Sequence, residues 1–157
     1  MYIGIPKEIK NHEYRVGLTP SSVRELVHQG HHVVVETKAG DGIGSSDMDY
    51  QQAGAHIALT PEEIFEKAEL IVKVKEPQLQ ECKMLRPGQT LFTYLHLAAD
   101  REQTQALVDS GCVAIAYETV TSPRGGLPLL TPMSEVAGRM SIQAGAHNLE
   151  KGNGGRG

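Results

Sequence analysis

Residues 1–36, MYIGIPKEIKNHEYRVGLTPSSVRELVHQGHHVVVE, contain the pattern that decides the fold. A short apolar run, Tyr2 to Pro6, is followed by a polar loop and later by a second apolar run, His32 to Glu36. Between them, Thr19-Pro20 supplies a capping residue and a proline at the first helical position, and Gly30 marks the stop. The stretch predicts a strand, a helix and a parallel strand.

The same alternation continues along the chain. Further strands are predicted at residues 70–75, 90–95 and 113–117, and a capping box at Thr60–Glu63 predicts a helix before the first of them. Asp100 and Gly111 bound another predicted helix. Strands that alternate with helices predict a parallel sheet with right-handed crossovers, in a flavodoxin/Rossmann-like three-layer α/β fold. We expect one domain over residues 1–130, a long linking helix over 131–150 and a flexible tail over 151–157.

Composition excludes several classes of function. A chain of 157 residues with 39% hydrophobic and 22% charged residues suits one globular domain. The net charge of −4 leaves no basic excess for a nucleic acid. No apolar stretch approaches the length of a membrane span, and the apolar run at the N-terminus is too short for a signal peptide. No nucleic-acid or membrane partner is therefore expected.

The two cysteines predict neither a disulfide framework nor a metal site. Cys82 and Cys112 are isolated from each other and show no Cys-x-x-Cys spacing, whereas zinc sites need more ligands in closer pairs. We expect two reduced structural thiols in a cytoplasmic protein, and no metal.

Charged side chains follow the ends of four predicted strands. Arg15 follows the first strand, Lys75 and His96 follow the strands of residues 70–75 and 90–95, and Glu118 follows the last. Ligands of open parallel sheets bind beyond the carboxyl ends of the strands, so these side chains are candidates for one site. Each could equally be an ordinary solvated residue, and Lys73 competes with Lys75 because both lie on one face of the strand.

These residue types suit a small oxo acid or amino acid. Arg15 offers a planar fork for a carboxylate, and Lys75 offers a point charge for a second oxygen. His96 can give and take a proton near neutral pH. Carboxylate binding, carbonyl polarisation and acid/base chemistry are what the reversible amination of an oxo acid requires. The hydride must come from a cofactor, because no side chain supplies one.

The tail contains a false dinucleotide motif. Residues 152–157, Gly-Asn-Gly-Gly-Arg-Gly, match G-x-G-x-x-G, but they follow a predicted helix and open none. The motif binds a pyrophosphate only between a strand and a helix N-terminus. We therefore expect no dinucleotide-binding unit within this chain.

Several motifs resemble those of one enzyme family. Gly4-Ile-Pro-Lys-Glu-Ile-Lys10, Glu13-Tyr-Arg-Val-Gly-Leu-Thr-Pro20, Lys73-Val-Lys-Glu-Pro77 and Met133-Ser-Glu-Val-Ala-Gly-Arg-Met140 resemble alanine dehydrogenases and the related transhydrogenase α subunits. His96, within Tyr-Leu-His-Leu-Ala, resembles the dehydrogenase branch, because a transhydrogenase needs no acid/base for an amino acid. The similarity extends over essentially the whole chain.

The resemblance implies a role for each candidate residue. Arg15 and Lys75 match the family's substrate-binding pair, His96 matches its catalytic acid/base, and Ser134 matches a residue that contacts NAD. Ser134 could equally be the N-cap of its helix. The family's chains are about twice as long, continue into a nucleotide-binding domain and are commonly homohexamers, so we expect a truncated chain that is inactive alone.

Three alternative functions remain open at this point. They are a transhydrogenase α subunit, a non-catalytic small-molecule binding module, and a saccharopine-type dehydrogenase with a longer dicarboxylic substrate.

Overall fold

The computed structural model describes all 157 residues, in two compact units, Met1–Ala116 and Tyr117–Gly157. The first unit alternates strands and helices along the chain. Its strands are β1 (Tyr2–Ile5), β2 (His32–Glu36), β3 (His56–Ala58), β4 (Leu70–Val72), β5 (Thr90–Thr93) and β6 (Val113–Ala116). Its helices are α1 (Pro20–His28), α2 (Asp47–Gln52), α3 (Pro61–Lys67), α4 (Leu79–Cys82) and α5 (Arg101–Ser110).

The six strands form one parallel sheet in the order β3-β2-β1-β4-β5-β6. Strand β1 lies in the middle, with Ile3 opposite Val33 of β2 on one side and opposite Leu70 of β4 on the other. The chain leaves β1 for β2 and later returns to place β4 on the other side. The strand order therefore reverses between β1 and β4, where α/β sheets of this kind bind ligands.

Alternate residues of the strands face two separate apolar layers. Ile3, Ile5, Val33 and Val35 pack in a cluster with residues of α1 and α2, which include Val23 and Tyr50. The opposite face carries Ile71 and Leu91 against residues of α3, α4 and α5. Side chains of a strand alternate between the faces of its sheet, so helices on both faces produce three layers. The predicted three-layer Rossmann-like fold is confirmed.

Gly4 shows how closely one helix approaches the sheet. A Cβ atom on Gly4 would lie 2.5 Å from Ile64 Cγ2 and 2.8 Å from Ala68 Cβ. Glycine at this position allows α3 to pack directly on β1, where any side chain would push the helix away.

Most predicted elements occur, with differences at their ends. Strand β4 ends at Val72 rather than Lys75, and β5 ends at Thr93 rather than Leu95. The short elements β3 and α4 were not predicted, because three or four residues are too few to show a period.

The predicted capping box at Thr60 is wrong. The Thr60 side chain makes no cap hydrogen bond, although Thr60 is the N-cap and α3 begins at Pro61 as predicted. Glu62 and Glu63 lie in the first turn, where their charges suit the helix N-terminus. A capping box that was not predicted begins α2, between Ser46 and Asp49. The predicted cap at Asp100 is confirmed, because its carboxylate accepts a hydrogen bond from the Gln103 amide at 3.0 Å.

Both cysteines are free thiols. Cys82 is buried in the cluster beneath α4, and burial raises the pKa of its thiol to about 11. Its Sγ lies 3.6 Å from the Pro77 carbonyl oxygen. Cys82 therefore acts as a small apolar core residue, because a thiol with such a pKa stays protonated near neutral pH.

The second unit consists mainly of helix α6, Thr131–Leu149, between two short 3-10 turns. No residue of α6 is buried. Residues 151–153 form a 3-10 turn, and the Gly157 amide donates to the Leu149 carbonyl at 2.8 Å. The G-x-G-x-x-G of residues 152–157 follows a helix and opens none. None of the helices is both long and apolar enough to cross a membrane.

Candidate active site at the carboxyl edge of the sheet

Three of the candidate residues follow three neighbouring strands. Arg15 lies in the loop after β1, Lys75 follows β4 and His96 follows β5. The strands are parallel, so all three residues leave the sheet at its carboxyl edge, and β1 and β4 flank the point of reversal.

The chain segments bearing Lys75 and His96 stay paired beyond the strands. The Tyr94 amide donates to the Val74 carbonyl at 3.2 Å, and the Thr93 hydroxyl donates to the Lys75 carbonyl at 2.9 Å. These bonds fix the backbone of Lys75 beside residues 93 and 94. The chain segments that carry Lys75 and His96 therefore lie side by side at the carboxyl edge of the sheet.

Arg15 is bound in a fork by its neighbour Glu13. Nε of Arg15 donates to Oε1 of Glu13 at 2.8 Å, and Nη2 donates to Oε2 at 2.6 Å. The hydrogen bonds to Arg15 are the largest cause that lowers the pKa of Glu13, and the nearby charge of Lys75 lowers it further. The same bonds raise the pKa of Arg15, with a contribution from Tyr94. Lys75 is therefore close enough to influence the charge of Glu13, and Tyr94 is close enough to influence that of Arg15.

Tyr94 stacks on His96. The rings of Tyr94 and His96 are stacked, with centroids 6.3 Å apart and planes inclined by 29°. Tyr94 is buried, whereas His96 is exposed at the surface. We call the five residues Glu13, Arg15, Lys75, Tyr94 and His96 the rim cluster. Glu13 and Tyr94 were not predicted, although each lies two residues from a predicted site residue.

His96 has an unusual backbone conformation. Its φ of 49° and ψ of 38° place it in the left-handed region, immediately before a 3-10 turn of residues Leu97–Ala99. Non-glycine residues adopt this region at a cost, and such residues gather at functional sites. The conformation ends the extended chain after β5 and turns His96 out of the strand direction.

The competing lysine, Lys73, has a different environment from Lys75. Its side chain is fully buried, with Nζ 3.2 Å from Glu8 Oε2 and 2.8 Å from Glu81 Oε1. Lys75 is only half-buried. Lys73 therefore contacts two carboxylates within the protein, and we call Glu8, Lys73 and Glu81 the buried triad.

A cavity of about 330 Å³ opens beside Arg15, and its walls also include Lys7, Glu8, Glu13 and Lys38. Lys75 and His96 are not among its walls. A larger cavity of about 650 Å³ lies against α4 and α5, and another of about 450 Å³ lies beside β3. No rim-cluster residue lines either of them.

The reversal point of the sheet does not suit a dinucleotide. Such a site needs a glycine-rich turn between β1 and a helix, whereas here a long loop leads from Pro6 to the start of α1. The carboxylate of Glu8 lies at this point, and that of Glu36, at the end of the neighbouring strand β2, accepts a hydrogen bond from the Lys7 amide at 2.8 Å. Burial raises the pKa of both carboxyls.

Two candidate residues belong to the second unit. Ser134 is exposed in the first turns of α6, and Glu118 is half-buried in the turn Tyr117–Thr119. The interpretation of Ser134 as the N-cap is wrong, because α6 begins at Thr131 and its N-cap is Leu130. The rim cluster is formed within the first unit and does not include them.

Known proteins resemble this chain over its whole length. Residues 4–137 match the family model described as alanine dehydrogenase/PNT, N-terminal domain. The alanine dehydrogenase of Halomonas elongata is 61% identical over 157 residues, which are 100% of this chain and 42% of that protein. The alanine dehydrogenase of Mycolicibacterium smegmatis is 55% identical with the same coverage.

Solved structures give the same result. A structure of an L-alanine dehydrogenase superposes with a TM-score of 0.90 at 57% identity, over 100% of this chain and 43% of that one. A transhydrogenase from Sinorhizobium meliloti superposes with a TM-score of 0.71 at 31% identity, over 75% of this chain and 35% of that one. The chain thus spans about two fifths of the length of its dehydrogenase relatives, and it belongs to the alanine dehydrogenase/PNT family, as an N-terminal domain of that family.

Proposed function

We propose that this chain is the N-terminal part of an NAD-dependent L-alanine dehydrogenase. The reaction is the reversible conversion of L-alanine, NAD⁺ and water to pyruvate, ammonium, NADH and a proton. The observation that carries the proposal is the rim cluster, in which a guanidinium, an ammonium and an imidazole lie at adjacent strand ends of a chain 61% identical to an alanine dehydrogenase.

Arg15 and Lys75 would bind the carboxylate and the carbonyl oxygen of the substrate. Glu13 orients the guanidinium of Arg15, and a guanidinium has five N–H donors, so it can bind more than one carboxylate. The ammonium of Lys75 would polarise the C2 carbonyl of pyruvate, which makes that carbon more electrophilic. We prefer Lys75 to Lys73 for this role because Lys73 is buried between two carboxylates.

His96 would move protons at the C2 oxygen or nitrogen. In the direction of deamination, the C2 hydride leaves first, water then adds to the imine carbon that results, and ammonia leaves; the imidazole takes up and returns the protons of the last two steps. Its exposed position gives access to a ligand at the edge, and its stacking partner Tyr94 restricts the ring.

NAD, when bound, supplies the acceptor for the hydride that leaves C2 of alanine. The reversal point of this chain's sheet does not suit it, so we propose that NAD binds mainly to residues that the relatives have beyond the matched 42%. Ser134 would contribute one contact from α6. Residues 1–130 would then be the substrate domain, and residues 131–150 the helix that links it to the NAD-binding domain.

The location and assembly of the whole enzyme follow from the same proposal. We expect a cytoplasmic enzyme of amino-acid catabolism and a homohexamer, as in the full-length family. Size-exclusion chromatography with light scattering on a full-length protein measures the assembly directly.

A chimera tests the function. The chain would replace the matching first 42% of the Halomonas elongata alanine dehydrogenase, and NADH formation from L-alanine would be followed by absorbance. We expect alanine-dependent NADH formation by the chimera and none by the isolated chain. His96→Ala should lower kcat by about a hundredfold or more, as loss of a general acid/base does.

Three outcomes would contradict the proposal. They are a folded chimera that forms no NADH with L-alanine, an unchanged rate in His96→Ala, and hydride exchange between NADH and an NADP analogue without alanine oxidation. The last would favour the transhydrogenase alternative.

A further inference from the structure

Glu8 is a carboxylate in a loop, yet it is buried. It lies three residues after the end of β1, and only 7% of its surface is exposed. Its Oε1 accepts a hydrogen bond from the Val74 amide at 2.6 Å, and its Oε2 lies 3.2 Å from the ammonium of Lys73. One side chain of the β1 loop is thus bound to two consecutive residues beyond β4.

Lys73 is held in place from the other side by α4. Its ammonium lies 2.8 Å from Oε1 of Glu81, and Oε2 of Glu81 accepts a hydrogen bond from the Gln78 amide at the start of that helix. Burial raises the pKa of Glu8, while Lys73 and the Val74 amide act in the opposite direction. Loss of Lys73 would leave two buried carboxylates without a cation.

The contacts of Glu8 lie close in the sequence to both proposed substrate cations, Arg15 and Lys75. Val74 immediately precedes Lys75, and the loop that starts near Glu8 leads to Arg15. The Glu8 carboxylate therefore joins the two segments that carry the two proposed substrate cations. A second contact, an ion pair between Lys10 and Glu76, joins the same segments at the surface.

We propose that Glu8 is a positioning residue for substrate binding, which fixes the loop bearing Arg15 against the segment bearing Lys75 through the Val74 amide and the ammonium of Lys73. The proposal rests on the proposed function in one respect, the roles of Arg15 and Lys75. Glu8 itself contacts no substrate. Two cations that bind the carboxylate and the carbonyl oxygen of one small oxo acid must keep a fixed separation, and a misplacement of about 1 Å is enough to cost about a hundredfold in rate.

The experiment uses the 157-residue chain and pyruvate, with two measurements on each variant by NMR. The first is the dissociation constant for pyruvate from chemical-shift titration, and the second is amide hydrogen exchange at Val74 and over residues 9–15. In Glu8→Gln we expect pyruvate affinity to fall about tenfold or more. We also expect faster exchange over residues 9–15, with global unfolding in urea still cooperative.

Two variants separate positioning from general stability. Glu81→Gln weakens the buried triad without touching the β1 loop, so it should lower stability while pyruvate affinity changes by less than about threefold. Lys10→Ala removes the exposed contact and should change affinity by less than about twofold. Should Glu8→Gln fail to fold, Glu8→Asp keeps the charge but is one methylene shorter, and it should show the same two changes in weaker form.

The outcomes for the two proposals are distinct. Unchanged exchange over residues 9–15 in a folded Glu8 variant overturns the positioning role, whether or not pyruvate binds. So does a Glu8→Gln variant that loses no more affinity than a Glu81→Gln variant of equal stability. A wild-type chain that shows no pyruvate binding counts against the proposed function, and the exchange measurement still decides the role of Glu8.

Discussion

The buried triad and the rim cluster both contain a glutamate paired with a cation, but they differ in how far the cation is exposed to solvent. Each pairs a glutamate of the β1 loop with a cation, Glu8 with Lys73 and Glu13 with Arg15. The lysine of the first pair has no exposed surface, whereas 43% of the Arg15 side chain is exposed. Exposure lets a cation exchange partners, because water can replace the carboxylate that it leaves. The buried pair therefore fixes the chain, whereas the Arg15 side chain of the second pair stays accessible to solvent.

The largest expected effect is on the buried triad. Lys73→Met should lower the free energy of unfolding by about 3–5 kcal/mol at neutral pH, because two buried carboxylates lose their cation. Urea unfolding followed by circular dichroism measures the change.

The controls for this prediction come from the same chain. The triple variant Glu8→Gln, Lys73→Met, Glu81→Gln keeps acceptors for the Val74 and Gln78 amides and should recover most of the loss. Lys83→Met, at an exposed lysine, should cost less than about 0.5 kcal/mol. If Lys73→Met and Lys83→Met lowered the free energy of unfolding equally, the buried pairing of Lys73 would not be what stabilises the fold.

The second prediction concerns Arg15 and keeps its charge. Arg15→Lys should weaken pyruvate binding by about tenfold to a hundredfold, because an ammonium cannot form the fork that a guanidinium forms. Its stability should change by less than about 1 kcal/mol, since the Arg15 side chain is largely exposed and both residues carry the same charge. Arg24→Lys, at an exposed position of α1, is the matched control. If Arg15→Lys left pyruvate binding unchanged, the fork of the guanidinium would not contribute to binding, and this prediction would be wrong.

The third prediction tests the strained backbone of His96. His96→Gly should be more stable than His96→Ala by about 1 kcal/mol, because only glycine adopts the left-handed region without cost. At His147, inside α6, the order should be reversed by a similar amount, because glycine weakens a helix. Thermal unfolding of the four variants decides the point, and a preference for alanine at residue 96 would contradict it.

The smallest expected effect is the pH dependence due to Glu13. Its folded-state pKa lies below the ordinary value of 4.5, so its contribution to stability is present above that pH and is lost as pH falls through the folded pKa. Glu13→Gln should therefore be less stable than the wild type at neutral pH, by less than about 1 kcal/mol because solvent screens the pair.

The difference between wild type and Glu13→Gln should vanish in acid. Urea unfolding at several pH values measures it, with Glu66→Gln on the exposed side of α3 as the control for loss of a carboxylate. A difference that stays constant down to acid pH would show that the Arg15–Glu13 pair does not stabilise the fold.

The site was only partly predictable from the chain. Arg15, Lys75 and His96 follow apolar runs, and parallel strands end at one edge, so the pattern alone placed them together. Glu8 and Lys73 gave no such signal, because a charged residue near a strand end is usually solvated. Their burial depends on the meeting of the β1 loop, β4 and α4, which are far apart in the sequence. The prediction of a capping box at Thr60 failed for a related reason. A threonine and a glutamate at the right spacing permit a capping box, but the side-chain conformations decide whether its hydrogen bonds form.

The sequence by itself determined the class of fold, the family and the strand ends that carry the candidate residues. Apolar periodicity, capping residues and glycine stops act within a few residues, and they need no knowledge of distant contacts. Only the tertiary contacts reveal which lysine is buried, which glutamate of the β1 loop contacts it, and that the Tyr94 ring stacks on His96. Burial and ion pairing depend on which segments meet in space, and a local pattern does not contain that information.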